Sequence, residues 1–563
     1  MRRIIFCLLI IPGCFVMGCR SSAEDSCKET SETPQAVEQR DYAYVKMGGL
    51  STGQKAWLLS LQGLVNRSGP NLYVLQEGNE THTRWMEWYK KYNLVGKEVA
   101  FAELVAERSK EAKGFIVYDP EVPASLNVAL SMAGYLDCVV CSPSEKQELE
   151  ELGLKCVDDF QGKWKDKLEA YRWAIDKAMD KCDCSVLANY EQRASASVRP
   201  TADYLVNKRG FCMGLCVNEA DYPKEAELWD EVQKAAPDHA IMMGWHTSRD
   251  TEATHVYFGS RHNVWVYCAG AFNMSFHQHV GNRQPFEQDH CEQAKCDPEG
   301  RYVTITLSDG DSWHSMVDMQ KKFWLHPRRG EVPLGWEVAP IFSRIAPAVF
   351  EYYYATRSEN DYLVCGPSGA GYNYLSGVAD WKGYLRHTEE LMKQSSLKTI
   401  WVINRVVRHL PGGVIEHRLK DGPIPYSKKQ MEEMGGIKDE KGADWVDREM
   451  VLRYMQGIPD ALGFFQGWER IPGEQTIWVG DKAWAPTVAL VRREVDEVLK
   501  EIDDAAADEP RPAFLATHVN CYRADMEVLI ETVEKLRAKG YTVVRPDEFL
   551  RLAQDAHARD LRQ

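Results

Sequence analysis

Residues 308–313 read SDGDSW, so two carboxylates, Asp309 and Asp311, flank one glycine directly after the apolar run 303–307. Carboxylates this close divide acid and base work when their surroundings separate their pKa values. Hydrolysis of a glycosidic bond needs that division, one group giving a proton and a second carboxylate supporting the attack. The same oxygens also suit a hard divalent cation, and an Asp-Gly turn with an N-cap is the plain structural alternative. Trp313 offers an aromatic platform beside them. Glu337, next to Trp336 at the end of another apolar run, offers a third carboxylate, and Glu469 a fourth. His518 and Asn520 stand two residues apart after the run 513–517, a spacing that points both side chains to one side. A histidine there serves as acid, base, metal ligand or hydrogen-bonded rim residue.

These residues need a scaffold, and the chain supplies a regular one. After residue 299, seven strand-like cores recur: VTITL, PLGWEV, DYLVC, TIWVI, LGFF, AFLAT and YTVV. Helical stretches over 312–323, 377–393, 443–456, 487–505 and 524–538 separate most of them. Such alternation predicts a parallel sheet of about seven strands, closed as an irregular (β/α) barrel. Each core empties into polar, aromatic or Gly-rich residues, including SDGDSW, GPSGAGYNY, Asn404, Trp468 and HVNC, as barrel active-site rims do. The stretch GPSGAGYNYL (366–375) holds three glycines beside Tyr372 and Tyr374. We read it as a loop bent into the mouth, presenting both rings to a sugar.

Residues 41–298 mix strands and helices, an α/β region ahead of the barrel-like catalytic domain at 299–563. Its segment 256–276 has strand character and ends at His277–Gln278–His279, a pair that a strand would align for metal or for a polar edge. At 563 residues, more than one domain is expected. The chain begins MRRIIFCLLIIPGCFVMGC, a charged start and a short apolar core, so residues 1–18 read as a signal peptide. Val16–Met17–Gly18–Cys19 resembles a bacterial lipobox, which makes Cys19 the expected lipidation site and 19–40 a polar tether. A lipid-anchored protein of the cell envelope, periplasmic or surface-exposed, follows. The net charge of −15, without a basic patch, argues against a nucleic-acid partner. The 17 tryptophans and 25 tyrosines fit a carbohydrate substrate, although tryptophan also fills cores. Of the 16 cysteines, CVVC (138–141) lies in an apolar run and reads as buried thiols rather than a redox pair.

The stretch GAGYNYL resembles the signature of the GxGYxYP family of glycoside hydrolases, with Gly369, Gly371, Tyr372 and Tyr374 in place and Leu375 where the family has proline. SLQGLVNRSGPNLYVL, YDPEVPASLNVA, SDGDSW, PLGWEVAP and THVNCY also look familial, so the resemblance spans roughly 41–550. It implies an N-terminal α/β region followed by a barrel-like domain, and a link to sugar processing. It names no catalytic residue. The expectation is therefore a glycoside hydrolase without cofactor, using Asp309, Asp311 and Glu337 as catalytic carboxylates. Trp313, Trp336, Tyr372, Tyr374, Asn404, Trp468, His518 and Asn520 are the expected substrate contacts. Two alternatives stay open: a metal-dependent carbohydrate deacetylase with a divalent ion on Asp309, Asp311 and His518, and a glycan-binding lipoprotein without catalysis. The first is weakened by the absence of any His-x-x-x-His pair, which deacetylase sites usually use.

Overall fold

A computed structural model of the chain describes residues 39–563 apart from 77, 79, 192–197, 218–221, 246–251, 269, 282–285, 318–321, 405–406, 411–412, 417–447, 468–475 and 563. Cys19 with the leader, Trp468 and Glu469 lie outside the described residues.

The N-terminal region holds three separate parallel sheets. The first has β1 (Arg40–Lys46) between β2 (Leu72–Leu75) and β3 (Leu94–Glu98). The second has β4 (Gly114–Val117) between β5 (Cys138–Cys141) and β6 (Cys156–Asp159). The third orders its strands β10 (Trp265–Cys268), β9 (Ile241–Gly244), β7 (Val186–Asn189) and β8 (Phe211–Met213). Their strands are short apolar runs because parallel strands are covered on both faces, and β4, β5, β7 and β10 are buried throughout. Cys138 and Cys141 are buried free thiols in β5. Of segment 256–276, only β10 is a strand. Glu252–Arg261 and Met274–His277 are helices, so His277 and His279 do not share a strand face. His277 is buried with its Nδ1 bonded to the Tyr89 hydroxyl, and His279 is exposed.

The C-terminal region closes into a barrel of seven parallel strands. Going round, they are β11 (Arg301–Leu307), β12 (Leu334–Val338), β13 (Asp361–Cys365) and β14 (Thr399–Val402). A hairpin, β15 (Val407–Leu410) and β16 (Gly413–Glu416), follows β14. The ring continues with β17 (Gly463–Gln466), passes β18 (Ile477–Val479), and ends with β19 (Lys482–Val491) and β20 (Ala513–Val519), which pairs back on β11. The expected number is right, but one member differs. The YTVV core gives only β21 (Thr542–Val543), which pairs with Tyr302 and Val303 of β11, while β12 takes Thr306 and Leu307. β21 thus fills the gap below the short β11–β12 contact instead of joining the ring. The true seventh strand is β19, part of which was expected to be helix from 487. Its Pro486 argues against a central strand, and the ladder absorbs it with an irregularity between Thr487 and Ala489.

Candidate active site

The mouth of the barrel is built at the C-terminal ends of β11, β12, β14 and β20. Gly310 lets the turn after β11 lie against β12. A Cβ there would stand 2.5 Å from the Glu337 carbonyl carbon and 2.6 Å from Val338 N, backbone atoms that cannot move aside. Asp309 and Asp311 thereby flank a backbone contact with the neighbouring strand. Asp309 is partly exposed, and its Oδ2 accepts hydrogen bonds from Ser315 Oγ and Tyr522 Oη, each at 2.9 Å. Asp311 is buried and accepts a hydrogen bond from the Cys268 thiol at the end of β10. Backbone bridging between Cys268 and Ser312 makes the same junction, so the third N-terminal sheet walls one side of the mouth.

The surroundings drive the carboxylates apart. Burial raises Asp309, and the two hydroxyl donors oppose that shift by favouring its charged form. Asp311 stands well above the usual carboxylate range, first through burial and then through repulsion by Asp309. Glu337 is raised strongly as well, by burial and then by Asp311 and Asp309. Its carboxylate accepts from the Gly310 backbone, while Oε1 has no hydrogen-bond partner among the described residues. Below it, His518 Nε2 lies 3.8 Å from that Oε1, and Nδ1 is 3.0 Å from Thr306 Oγ1. The His518 ring stacks on Trp401 at 3.9 Å, and burial pushes its pKa down to about 3. A neutral imidazole thus faces a carboxyl that burial biases toward its protonated form.

Asp309, Asp311, Glu337 and His518 therefore come together as the spacing suggested. The aromatic assignments do not. Trp313 is fully buried against Tyr204, Tyr267 and Phe342 and presents no platform. Trp336 alternates with Glu337 and so faces away from the mouth. It packs on Trp324, and its Nε1 donates to Asp361. Tyr372 and Tyr374 are buried at 3% and 0% exposure, so neither ring face is open to a sugar.

The signature loop instead clasps the third sheet. Tyr372 N donates to Val266 O, Tyr374 N to Ser260 Oγ and Asn373 Nδ2 to Val264 O, at 2.8–3.0 Å. A Cβ on Gly371 would meet Trp265 Cβ at 2.8 Å, and Gly369, at φ +134°, would meet Thr388 Oγ1 at 2.5 Å. Gly371 serves close approach between the two regions, and Gly369 serves close approach of the loop to the helix Trp381–Gln394 within the C-terminal region. Asn404 Oδ1 accepts from Ser376, and Asn520 Oδ1 accepts from Tyr522 N, which orders the turn that carries Tyr522. After β21, Arg545 donates to Glu359 O in the loop entering β13, at the other end of the strands from this rim.

Sequence reasoning missed Tyr522, Ser315, Cys268 and Glu252. Tyr522 belongs to the THVNCY stretch, and Ser315 lies one helical turn past Asp311, signals that a search for hydroxyl donors near the carboxylates would have found. Cys268 and Glu252 come from the other region and carry no such signal. Among the described residues, no three His, Cys, Asp or Glu side chains are grouped to hold a metal ion. His518 turns Nε2 toward Glu337 rather than completing a set with Asp309 and Asp311.

The comparisons with known proteins agree with this architecture. Residues 300–554 match the "GxGYxYP putative glycoside hydrolase C-terminal domain", and 43–107, 112–182 and 190–279 match the first, second and third N-terminal domains of the same family. A "putative hydrolase" from Bacteroides thetaiotaomicron has the same fold, with TM-score 0.74 and 20% identity over 92% of this chain and 95% of that one. A peptidoglycan deacetylase, PdaC from Bacillus subtilis, aligns with TM-score 0.23 and 12% identity over 47% of this chain and 98% of its own, too weak a likeness to bear on the chemistry. No curated protein matches. Three small α/β modules followed by a seven-stranded barrel, each matched in order, place the chain in the GxGYxYP family.

Proposed function

We propose that the protein hydrolyses glycosidic bonds of a polysaccharide or oligosaccharide at the bacterial cell envelope, held there by lipid on Cys19. The reading rests on the unequal environments of Asp309 and Asp311 at the barrel mouth. Asp311, buried and beside a second carboxylate, holds the proton that passes to the leaving oxygen. Asp309 has two hydroxyl donors on one oxygen, which favour its ionised form. Its charge keeps Asp311 protonated and faces the positive charge that develops on the sugar ring. Glu337 lies beside them as a carboxyl that favours its proton and accepts a hydrogen bond from the Gly310 backbone. The partly exposed Asn404 and Asn520 supply polar rim groups for sugar hydroxyls.

A panel of glycans and aryl glycosides tests this, with Asp309→Asn and Asp311→Asn alongside. Loss of about 10²–10⁴-fold in turnover by Asp311→Asn is expected. Unchanged turnover overturns the assignment. Activity that disappears on chelation and returns with a divalent ion would favour the deacetylase alternative, and glycan binding without turnover the non-catalytic one.

A further inference from the structure

We propose that the N-terminal region holds a binding site of its own, for one neutral sugar, in the crevice between its second and third sheets. A cavity of about 270 Å³ lies there, lined by residues of the N-terminal region alone. Its occupancy does not depend on the chemistry of the barrel.

Topology makes the crevice. β4 and β6 are parallel neighbours, but the chain leaves β4 toward β5, on the far side of β4. The segments that follow β4 and β6 therefore part. Such a parting, at the carboxyl ends of parallel strands, is where open α/β sheets take their ligands. The segment after β4 brings Glu121 and the start of the helix Ala124–Leu136 to the cavity. The segment after β6 brings Lys165, then Lys167 and Tyr171 on the helix Lys167–Lys177. β7 and β8 of the third sheet, parallel to each other, add Glu191 and Gly214 just past their ends.

Gly214 keeps the base of the cavity open. A Cβ there would stand 2.4 Å from Tyr190 O and 2.9 Å from Tyr171 Oη. Tyr171 is 1% exposed, and its Oη accepts a hydrogen bond from Asn127 Nδ2 at 2.9 Å. The same amide also donates to Tyr190 O at 2.9 Å. The phenol hydrogen has no acceptor among the described residues, and burial holds it on the oxygen. It is left to donate into the cavity beside Gly214.

Around this donor, Glu121 and Glu191 offer acceptors, while Lys165 and Lys167 offer further donors. Lys167 is held in place by an ion pair with the buried Glu225, at 2.6 Å. Val122, Pro123 and Ala124 give the lining an apolar stretch. An anion would meet two carboxylates there, and a cation two ammonium groups. A neutral ring with hydroxyls along its edge and C–H groups on its face suits both kinds of partner and the apolar stretch. The volume equals that of about nine liquid waters, room for one sugar and not for a chain.

Titration calorimetry and saturation-transfer NMR on the full chain test this with D-glucose, D-galactose, D-mannose, D-xylose and N-acetyl-D-glucosamine. At least one should bind the parent protein, and its binding should persist in Asp309→Asn. Tyr171→Phe, which removes only the donor, should weaken that sugar about three- to tenfold. Glu121→Ala changes an exposed side chain, leaves the melting temperature in place, and should weaken the sugar about tenfold. Failure of all five sugars to bind overturns the site. So does binding that Asp309→Asn abolishes while Tyr171→Phe and Glu121→Ala leave it intact. Inorganic phosphate or tetramethylammonium, bound in place of sugar and lost in Glu121→Ala or Tyr171→Phe, overturns the ligand class.

Discussion

Glu337 carries a sharp prediction because its chemistry and its cost to the fold pull in opposite directions. Its carboxyl favours the proton in the folded state, so its contribution is complete at low pH and is lost as pH rises through the folded pKa. Glu337→Gln removes that loss. Its melting temperature should exceed the parent's at pH 8 and equal it near pH 4, as read by differential scanning calorimetry across buffers. Equal melting at both values would mean that the carboxyl is solvated after all. Tyr522 offers the matching test at the rim. Removing its hydroxyl with Tyr522→Phe takes one donor from ionised Asp309 and should lower turnover less than tenfold, with the pH profile displaced upward. The carboxylate cluster was readable from spacing alone, because strand mouths announce themselves by an abrupt switch from apolar to polar residues. The tryptophans beside it were misleading for a physical reason. Trp313 and Trp336 adjoin the acids in sequence, but the turn and the two-residue strand period send their rings into the core and to the outer face.

At the level of elements, Gly310 decides whether β11 and β12 meet. Gly310→Ala would press a methyl carbon into the Glu337 carbonyl, a backbone clash that only separation of the strands relieves. We expect loss of several kcal/mol of stability, about 3 or more, with activity falling together with the melting temperature. Circular dichroism melting and turnover on the same sample check it. The strand count was accessible because buried parallel strands are continuous apolar runs. β19 escaped because Pro486 and an irregular ladder disguise it, and β21 intruded because a short apolar run looks the same inside the ring or beside it.

The whole molecule behaves as one body from Arg40 onward. The signature loop bonds the third sheet, while Trp85 and Trp88 of the first module donate their ring N–H groups to Val317 O and Ala348 O of the barrel region, both at 2.8 Å. We therefore expect a single cooperative thermal transition in the full chain, and poor solubility for residues 299–563 expressed alone, checked by calorimetry and by the soluble fraction. Two resolved transitions would show that the regions fold independently. This coupling could not be read from the sequence, because contacts separated by more than a hundred residues leave no local pattern.

Tyr522 is 60% exposed while its phenol grips Asp309. Any sugar hydroxyl arriving at that oxygen competes with the phenol for it and turns the ring loose into solvent. Nitration of this one tyrosine by tetranitromethane should thus quicken when the mouth is filled, a chemical footprint that reports occupancy even where nothing is cleaved.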